Sequence, residues 1–195
     1  NSSNIVRLVT VVDTTAPAAP IFTTADTTTN DTTPIIIGTA EAGSAVELFN
    51  GDASIGTATA DGTTGIFSIT PSSELSEGLN SLTVTATDAI NNVSAASSAL
   101  NITVDTTAPD QPSITTTTAL TSDATPTIEG TAEAGSTVTL FVDGVTTGIT
   151  TTADGTTGIF SLTPLIALEE GLNSLTVTAT DAQGNTSSAS SALSI

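Results

Sequence analysis

Six acidic residues recur at matching positions in the two halves of the chain. The matched pairs are Asp13 and Asp105, Asp31 and Asp123, Glu41 and Glu133, Asp61 and Asp154, Glu77 and Glu170, and Asp88 and Asp181. The sequence has no His, Cys, Lys, Tyr, Trp or Met, so most general bases, nucleophiles and soft metal ligands are missing. The carboxylate, hydroxyl, amide and carbonyl oxygens that remain are hard ligands, which suit Ca²⁺ or Mg²⁺.

The overall charge points to cations as partners. The chain has 195 residues, 20 of them acidic, and its one basic residue is Arg7, which gives a net charge of −19. Binding to nucleic acid is excluded because it depends on Lys and Arg, and an anionic membrane would repel the chain. No run of about 18 apolar residues could form a membrane-spanning helix. Strong acidity can also indicate disorder, but 37% hydrophobic residues and a mean hydropathy of +0.27 favour a folded core.

The chain repeats itself with a period of about 92 residues. "DTTAP" stands at 13–17 and 105–109, "GTAEAGS" at 38–44 and 130–136, and "EGLNSLTVTATDA" at 77–89 and 170–182. The offset grows by one along the unit, which places one extra residue near 142–149 of the second copy. A period this long indicates tandem domains, each with its own core. We therefore assign residues 13–104 and 105–195 to two repeats, and residues 1–12 to the tail of a preceding one.

The elements that must position the acidic residues are β-strands. Residues 80–87 alternate, with Leu82, Val84 and Ala86 on one face and Ser or Thr on the other, which is typical of a half-buried strand. The abundant Thr also favours strands. About seven short strands in each repeat predict an immunoglobulin-like β-sandwich. One turn of helix is predicted at Ser72–Glu77 and at its counterpart, Leu165–Glu170.

Longer motifs resemble a known family. "DTTAP", "TPTIEGTAEAGS", "TADGTTGIFSLTP" and "EGLNSLTVTATDAQGN" resemble the bacterial Ig-like repeats in the stalks of giant secreted adhesins, of the biofilm-associated and RTX type exported by type I secretion. The resemblance covers Asp13 to Ile195. It implies an all-β chain of two Ig-like sandwiches arranged end to end, Ca²⁺ at or near the domain joints, and an extracellular place on the bacterial surface. The chain departs from it at Phe67 and Phe160, where many members have Trp.

A second departure lies in the turn before the last strand. Where "GN" usually closes this turn, the first copy has Asn91-Asn92. Asn tolerates the left-handed backbone conformation, so we expect the turn to survive.

The resemblance also implies which acidic residues hold the metal. In an Ig-like sandwich, the start of the first strand and the loops between strands B and C, D and E, and F and G share one pole. The implied metal ligands at that pole are Asp105, Glu133 and Asp181 in the second repeat and Asp13, Glu41 and Asp88 in the first. Further candidates at the two poles are Asp31, Asp123, Asp61, Asp154, Glu77 and Glu170. Carboxylates gathered at one joint repel one another, and Ca²⁺ would offset that repulsion.

For each acidic residue the alternative is an ordinary solvated loop position. Asp61 and Asp154 are the clearest case, because Asp is a common first residue of a turn. The sequence leaves that alternative open.

The function implied is a spacer. A pair of carboxylates could hydrolyse a glycoside, but the chain has five Phe and no Trp or Tyr to bind sugar, so no enzyme is expected. A module that itself binds a carbohydrate or protein ligand is the alternative. Two near-identical copies with short loops instead favour a Ca²⁺-rigidified extender that projects a ligand-binding tip for adhesion or biofilm formation. Its expected partners are neighbouring repeats of the same chain, and the fragment is expected to be a monomer.

Overall fold

The computed structural model describes residues 12–117 and 120–195, and every regular element in these ranges is a β-strand. The chain divides into two compact units between Val104 and Asp105. The predicted all-β fold is therefore confirmed. The tail predicted at residues 1–12 lies outside the described residues, apart from Val12.

The first unit is a sandwich of two sheets. Its strands are β1 (Ile21–Phe22), β2 (Thr27–Thr29), β3 (Ile36–Thr39), β4 (Ala45–Asn50), β5 (Ala53–Thr59), β6 (Ile66–Ile69), β7 (Gly78–Thr87) and β8 (Leu100–Val104). One sheet has the order β1-β3-β6, and the other has the order β2-β8-β7-β4-β5. Strand β2 runs parallel to β8, and the other pairs are antiparallel. The first two strands of the unit thus belong to different sheets, β1 to one and β2 to the other.

The second unit repeats this arrangement. Its described strands are β9 (Ser113–Ile114), β10 (Ile128–Thr131), β11 (Thr137–Val142), β12 (Val145–Thr152), β13 (Ile159–Leu162), β14 (Ser174–Thr180) and β15 (Leu193–Ser194). The sheets have the orders β9-β10-β13 and β12-β11-β14-β15. The extra residue of this copy is taken up in β12, which is one residue longer than β5. Gly148 there has a φ of 72°, and the register with β11 shifts beside it.

The core follows the predicted alternation. Leu82, Val84 and Ala86 of β7 are fully buried. Phe67 and its counterpart Phe160 are among the largest buried side chains of the two separate cores. Each ring lies over a glycine of the neighbouring strand, because a Cβ on Gly38 or Gly130 would collide with the ring of Phe67 or Phe160. Phe67 and Phe160 are therefore core residues.

The predicted turn of helix at Ser72–Glu77 and Leu165–Glu170 is wrong. Both segments are irregular, because their hydrogen bonds go to other parts of the unit. Leu75 donates its N–H to the carbonyl of Thr32 over 2.8 Å. The buried Asn80 donates from Nδ2 to the Ser76 carbonyl over 2.7 Å and to the Gly78 carbonyl over 3.0 Å. These bonds hold the segment as an open loop. Its backbone groups are therefore not available for the hydrogen bonds between successive turns of a helix.

Serine residues hydrogen-bond to the last part of β7. Ser94 donates its N–H to the Ala86 carbonyl over 2.8 Å, and its Oγ accepts the Ala86 N–H over 2.9 Å. In the second unit, Ser187 bonds Ala179 in the same way. The irregular segment before the last strand is thereby fixed to the sheet, which also fixes the turn that precedes it.

Candidate metal centre

Two loops of the second unit meet at one end of its sandwich. The loop between β10 and β11 contacts the loop between β12 and β13, since Ala132 donates its N–H to the Gly158 carbonyl over 2.9 Å and Gly135 to the Ala153 carbonyl over 3.1 Å. Glu133 lies in the first of these loops. Its carbonyl accepts the Ser136 hydroxyl over 2.7 Å, and this bond closes the loop that presents the Glu133 side chain.

Asp181 organises the turn that follows β14. Its Oδ1 accepts the N–H groups of Gln183 and Asn185, over 2.9 and 2.8 Å, and its Oδ2 accepts the Nδ2 of Asn185 over 2.8 Å. Asn185 Nδ2 also donates to the carbonyl of Asp105 over 2.8 Å. We call this chain from Asp181 through Asn185 to the Asp105 carbonyl the linker latch. It ties the first residue of "DTTAP", the linker between the two repeats, to the turn.

Hydrogen bonding keeps Asp181 ionised. Burial acts to raise the pKa of this carboxyl group, but the hydrogen bonds from Asn185, Gln183 and Gly184 outweigh burial and leave the pKa below its usual value. The pKa of Asp88 is lowered by the same balance, with bonds from Asn92, Ile90 and Asn91 opposing burial. Both groups are therefore carboxylates at neutral pH, as a metal ligand must be.

The second unit brings its three implied ligands to one cavity. Asp105, Glu133 and Asp181 line a cavity of about 450 Å³, together with Thr107, Ser136 and Gln183 among others. Asp154 is not among the lining residues. Within residues 12–117 and 120–195, no three His, Cys, Asp or Glu side chains are grouped closely enough to hold an ion as they stand. The role of Asp105, Glu133 and Asp181 as metal ligands stays a prediction.

The first unit has a longer version of the latch. Asn92 Nδ2 donates to Asp88 Oδ2 over 2.8 Å, but its distances to the carbonyls of Asp13 and Thr15 are both 3.3 Å. Asn91, in the position of Gly184, has a φ of 70°, so the expected left-handed turn is confirmed. Glu41 lies in the loop between β3 and β4, where its carbonyl accepts the Ser44 hydroxyl over 2.7 Å.

Asp61 and Asp154 act within their own turns. Asp154 Oδ1 accepts the N–H of Thr156 over 3.0 Å, and the N–H and hydroxyl of Thr157 over 2.7 and 2.8 Å. Asp61 makes the same three bonds to Thr63 and Thr64. Hydrogen bonds from Thr64 to Asp61 and from Thr157 to Asp154 lower the pKa of both carboxyl groups, and the backbone N–H bond has a larger effect than the hydroxyl bond. The structure supports the turn interpretation of these two residues.

We expect the contribution of Asp154 to stability to depend on pH. Because its folded-state pKa is depressed, the stabilisation is fully present above the unfolded value of about 3.9 and is lost as the pH falls through the folded value. Asp154→Ala should therefore lower the melting temperature of the second unit at pH 7 more than at pH 2. Asp61→Ala is the matched variant in the first unit. An equal loss at the two pH values would contradict this assignment.

The remaining candidates lie in other loops. Asp31 and Asp123 each accept the N–H of the Thr two positions later, over 2.8 and 2.9 Å. Asp123 and Glu170 line a second cavity of the second unit, of about 870 Å³, with leucines among its other lining residues. Glu77 lies just before β7. Neither Asp123 nor Glu170 lines the cavity at Asp105.

The latch asparagines were not among the predicted site residues. The signal for them is the spacing of Asp and Asn in "DAINN" and "DAQGN", where an Asn four positions after an Asp can close the turn and still present a second amide hydrogen. Asn92 and Asn185 hold the start of the linker through its backbone carbonyls.

Comparison with known proteins identifies the family. A family model described as the bacterial Ig-like domain matches residues 9–106 and 108–195. No curated protein matches the sequence. Across residues 12–117 and 120–195, no helix is long and apolar enough to cross a membrane.

Solved structures show weaker likenesses. The BSP domain of a biofilm-associated protein is 24% identical with a TM-score of 0.37, over 92% of this chain and 29% of that one. The human OSCAR ligand-binding domain is 16% identical with a TM-score of 0.37, over 93% and 100%. Latent PorU from Porphyromonas gingivalis is 14% identical with a TM-score of 0.32, over 93% and 20%. This chain thus spans less than a third of the first of these proteins. Because the family model matches this chain along nearly its whole length, the chain belongs to the bacterial Ig-like domain family and carries two consecutive copies of that domain.

Proposed function

We propose that this chain is an extender segment of a bacterial surface adhesin, lies outside the cell, and is stiffened by Ca²⁺ bound beside its interdomain linker. Domains of this family are structural and non-enzymatic, which agrees with a spacer role. The observation that carries the metal part of the proposal is the shared cavity of Asp105, Glu133 and Asp181 in the second unit. A spacer of this kind would hold a ligand-binding tip away from the cell.

The donor set of this cavity fits calcium. Three carboxylates, the Thr107 and Ser136 hydroxyls and the Gln183 amide are all oxygen donors, and Ca²⁺ takes six to eight oxygens from such groups and from water. The described residues contain no Lys or Arg, because the single basic residue is Arg7. The three carboxylates therefore have no cationic side chain nearby in the described unit to offset their mutual repulsion.

Calcium would stiffen the linker by joining it to two loops. Pro109 and Pro112 fix two φ angles, and the residues before them are held extended. Near Asp105, the latch holds the Asp105 carbonyl and the Asp105 side chain accepts the Thr107 N–H over 3.2 Å within the linker. An ion bound by the carboxylates of Asp105, Glu133 and Asp181 would add a second tie between the linker, the loop before β11 and the turn after β14.

Titration calorimetry tests the proposed site. We expect Ca²⁺ to bind the parent with a Kd of about 10⁻⁴ to 10⁻³ M, the range of extracellular Ca²⁺ modules. Asp105→Ala should remove the tighter binding, and Asp13→Ala the weaker one, because the first unit's latch is longer and its linker is less well positioned.

Two results would count against the site. If the parent gives no binding heat up to about ten times the upper Kd, no calcium is bound. If Asp105→Ala binds like the parent, then the ion lies elsewhere in the chain and the cavity at Asp105 is not the site.

A further inference from the structure

Asn185 contacts two of the three residues that we propose hold the ion. Its Nδ2 donates to Asp181 Oδ2 and to the Asp105 carbonyl, both over 2.8 Å. A side-chain amide nitrogen carries two hydrogens, so these two bonds use both of them. The backbone N–H of Asn185 also donates to Asp181 Oδ1 over 2.8 Å, which fixes the residue relative to the turn. Asn185 therefore joins the Asp181 carboxylate to the linker.

The hydrogen bonds of Asp181 decide which of its oxygens can reach an ion. A carboxylate offers about four lone pairs, two on each oxygen. Oδ1 accepts the N–H groups of Gln183 and Asn185, which uses both of its lone pairs. Oδ2 accepts the Nδ2 of Asn185 and keeps one lone pair. Asp181 can therefore bind an ion through Oδ2, and this is the oxygen whose orientation Asn185 sets.

Asn185 lies behind the groups that would touch the ion. It is not among the residues that line the cavity, whereas the two residues it holds, Asp105 and Asp181, both line it. Carboxylates that bind a metal are themselves held by hydrogen bonds, and the loss of such a bond typically costs about 10–100-fold in metal affinity. Asn185 stands in this relation to Asp181.

We propose that Asn185 is the positioning residue of the candidate metal centre, a role that rests on the calcium site proposed above. It orients Oδ2 of Asp181 toward the cavity and holds the start of the linker beside the same turn. The Asp105 carboxylate then lies within reach of the ion that Asp181 binds. Because the latch orders the start of the linker beforehand, less ordering opposes the binding of the ion.

The first unit has the same bonds within its turn but a weaker hold on its linker. Asn92 donates its N–H to Asp88 Oδ1 over 2.9 Å and its Nδ2 to Asp88 Oδ2 over 2.8 Å. The same Nδ2 lies 3.3 Å from the carbonyls of both Asp13 and Thr15, so three acceptors share two hydrogens. We therefore expect Asn92 to affect metal binding less than Asn185 does.

Nuclear magnetic resonance in chelator tests whether the latch holds the linker. The amide nitrogen of Thr106 shares a peptide group with the Asp105 carbonyl, so its chemical shift responds to the bond from Asn185. Asn185→Ala should move this shift. Asn185→Asp keeps the shape of the side chain but has no amide hydrogens, and it should move the shift as well. Thr186→Ala is the matched control, because the Thr186 hydroxyl pairs with Thr180. Melting in chelator shows which variants are folded.

Titration calorimetry with Ca²⁺ tests the effect on the ion. We expect Asn185→Ala to raise the Kd of the tighter site by about 10–100-fold, Asn92→Ala to raise that of the weaker site by less, and Thr186→Ala to bind like the parent. Parent-like calcium binding by Asn185→Ala would overturn the positioning role, as would a Thr106 shift that is unchanged in both Asn185 variants. A parent that binds no calcium is a different result, because it overturns the calcium site and with it every role proposed at that site.

Discussion

Calcium at 100 times its Kd is expected to raise the unfolding free energy of the second unit by about 2.7 kcal/mol, and Asp181→Ala to abolish that gain. A gain of this size is a large share of the stability of a small domain. The Asp181 carboxylate is a proposed ligand, and it also holds Asn185 and through it the Asp105 carbonyl. Asp181→Ala should therefore lower the melting temperature in chelator as well.

Asp105→Ala separates the two roles of this site. The latch uses the carbonyl of Asp105, while its side chain accepts the Thr107 N–H over 3.2 Å in an exposed position, so this variant should melt close to the parent in chelator and yet lose the calcium-dependent gain. NaCl of matched ionic strength is the control, because it screens charge without filling a site. If the parent melts at the same temperature in Ca²⁺ and in matched NaCl, the calcium part of the proposal is wrong.

Phe160→Ala is expected to cost the second unit about 3–5 kcal/mol and to leave the first unit unchanged. The ring is almost fully buried, and its core cluster is separate from that of the first unit. For a domain of this size, such a loss lowers the melting temperature by about 15 °C or more. Calorimetric melting should show one transition displaced and the other in place.

The matched variant Phe67→Ala should displace the other transition. Gly130→Ala is a further test of the same region, because its added methyl group would overlap both the Ser113 carbonyl oxygen and the ring of Phe160. A single transition that moves as a whole in both Phe variants would show that the two units unfold together, and the two separate cores would then not act independently.

The fold could be predicted because it depends on patterns within single strands. The alternation of Leu82, Val84 and Ala86 decides which face of β7 is buried, and the repeated motifs show that the second unit must fold like the first. The topology of an Ig-like sandwich then places Asp105, Glu133 and Asp181 at one pole, although they are far apart in sequence. The structure places all three on one cavity.

The details that depend on single hydrogen bonds could not be predicted in this way. A helical turn at Ser72–Glu77 fits local composition, but the buried Asn80 amide and the Thr32 carbonyl hold that segment open. The role of Asn185 needs the turn and the linker to lie side by side, which no local pattern shows. The burial of Ile36 between two exposed isoleucines was likewise not evident, because Ile35, Ile36 and Ile37 are alike in sequence and only the sheet decides which of them faces water.

Small-angle scattering of the parent and of Asp105→Ala, each with Ca²⁺ and with chelator, tests the central claim most directly. If an ion beside the linker stiffens the joint, the parent should show a narrower spread of end-to-end lengths in Ca²⁺ than in chelator. Asp105→Ala should keep both domains folded and show the broad spread in both conditions. Scattering profiles that are the same for the parent and Asp105→Ala in both conditions would contradict the claim, and "DTTAP" would then be a linker stiffened by proline and the latch alone.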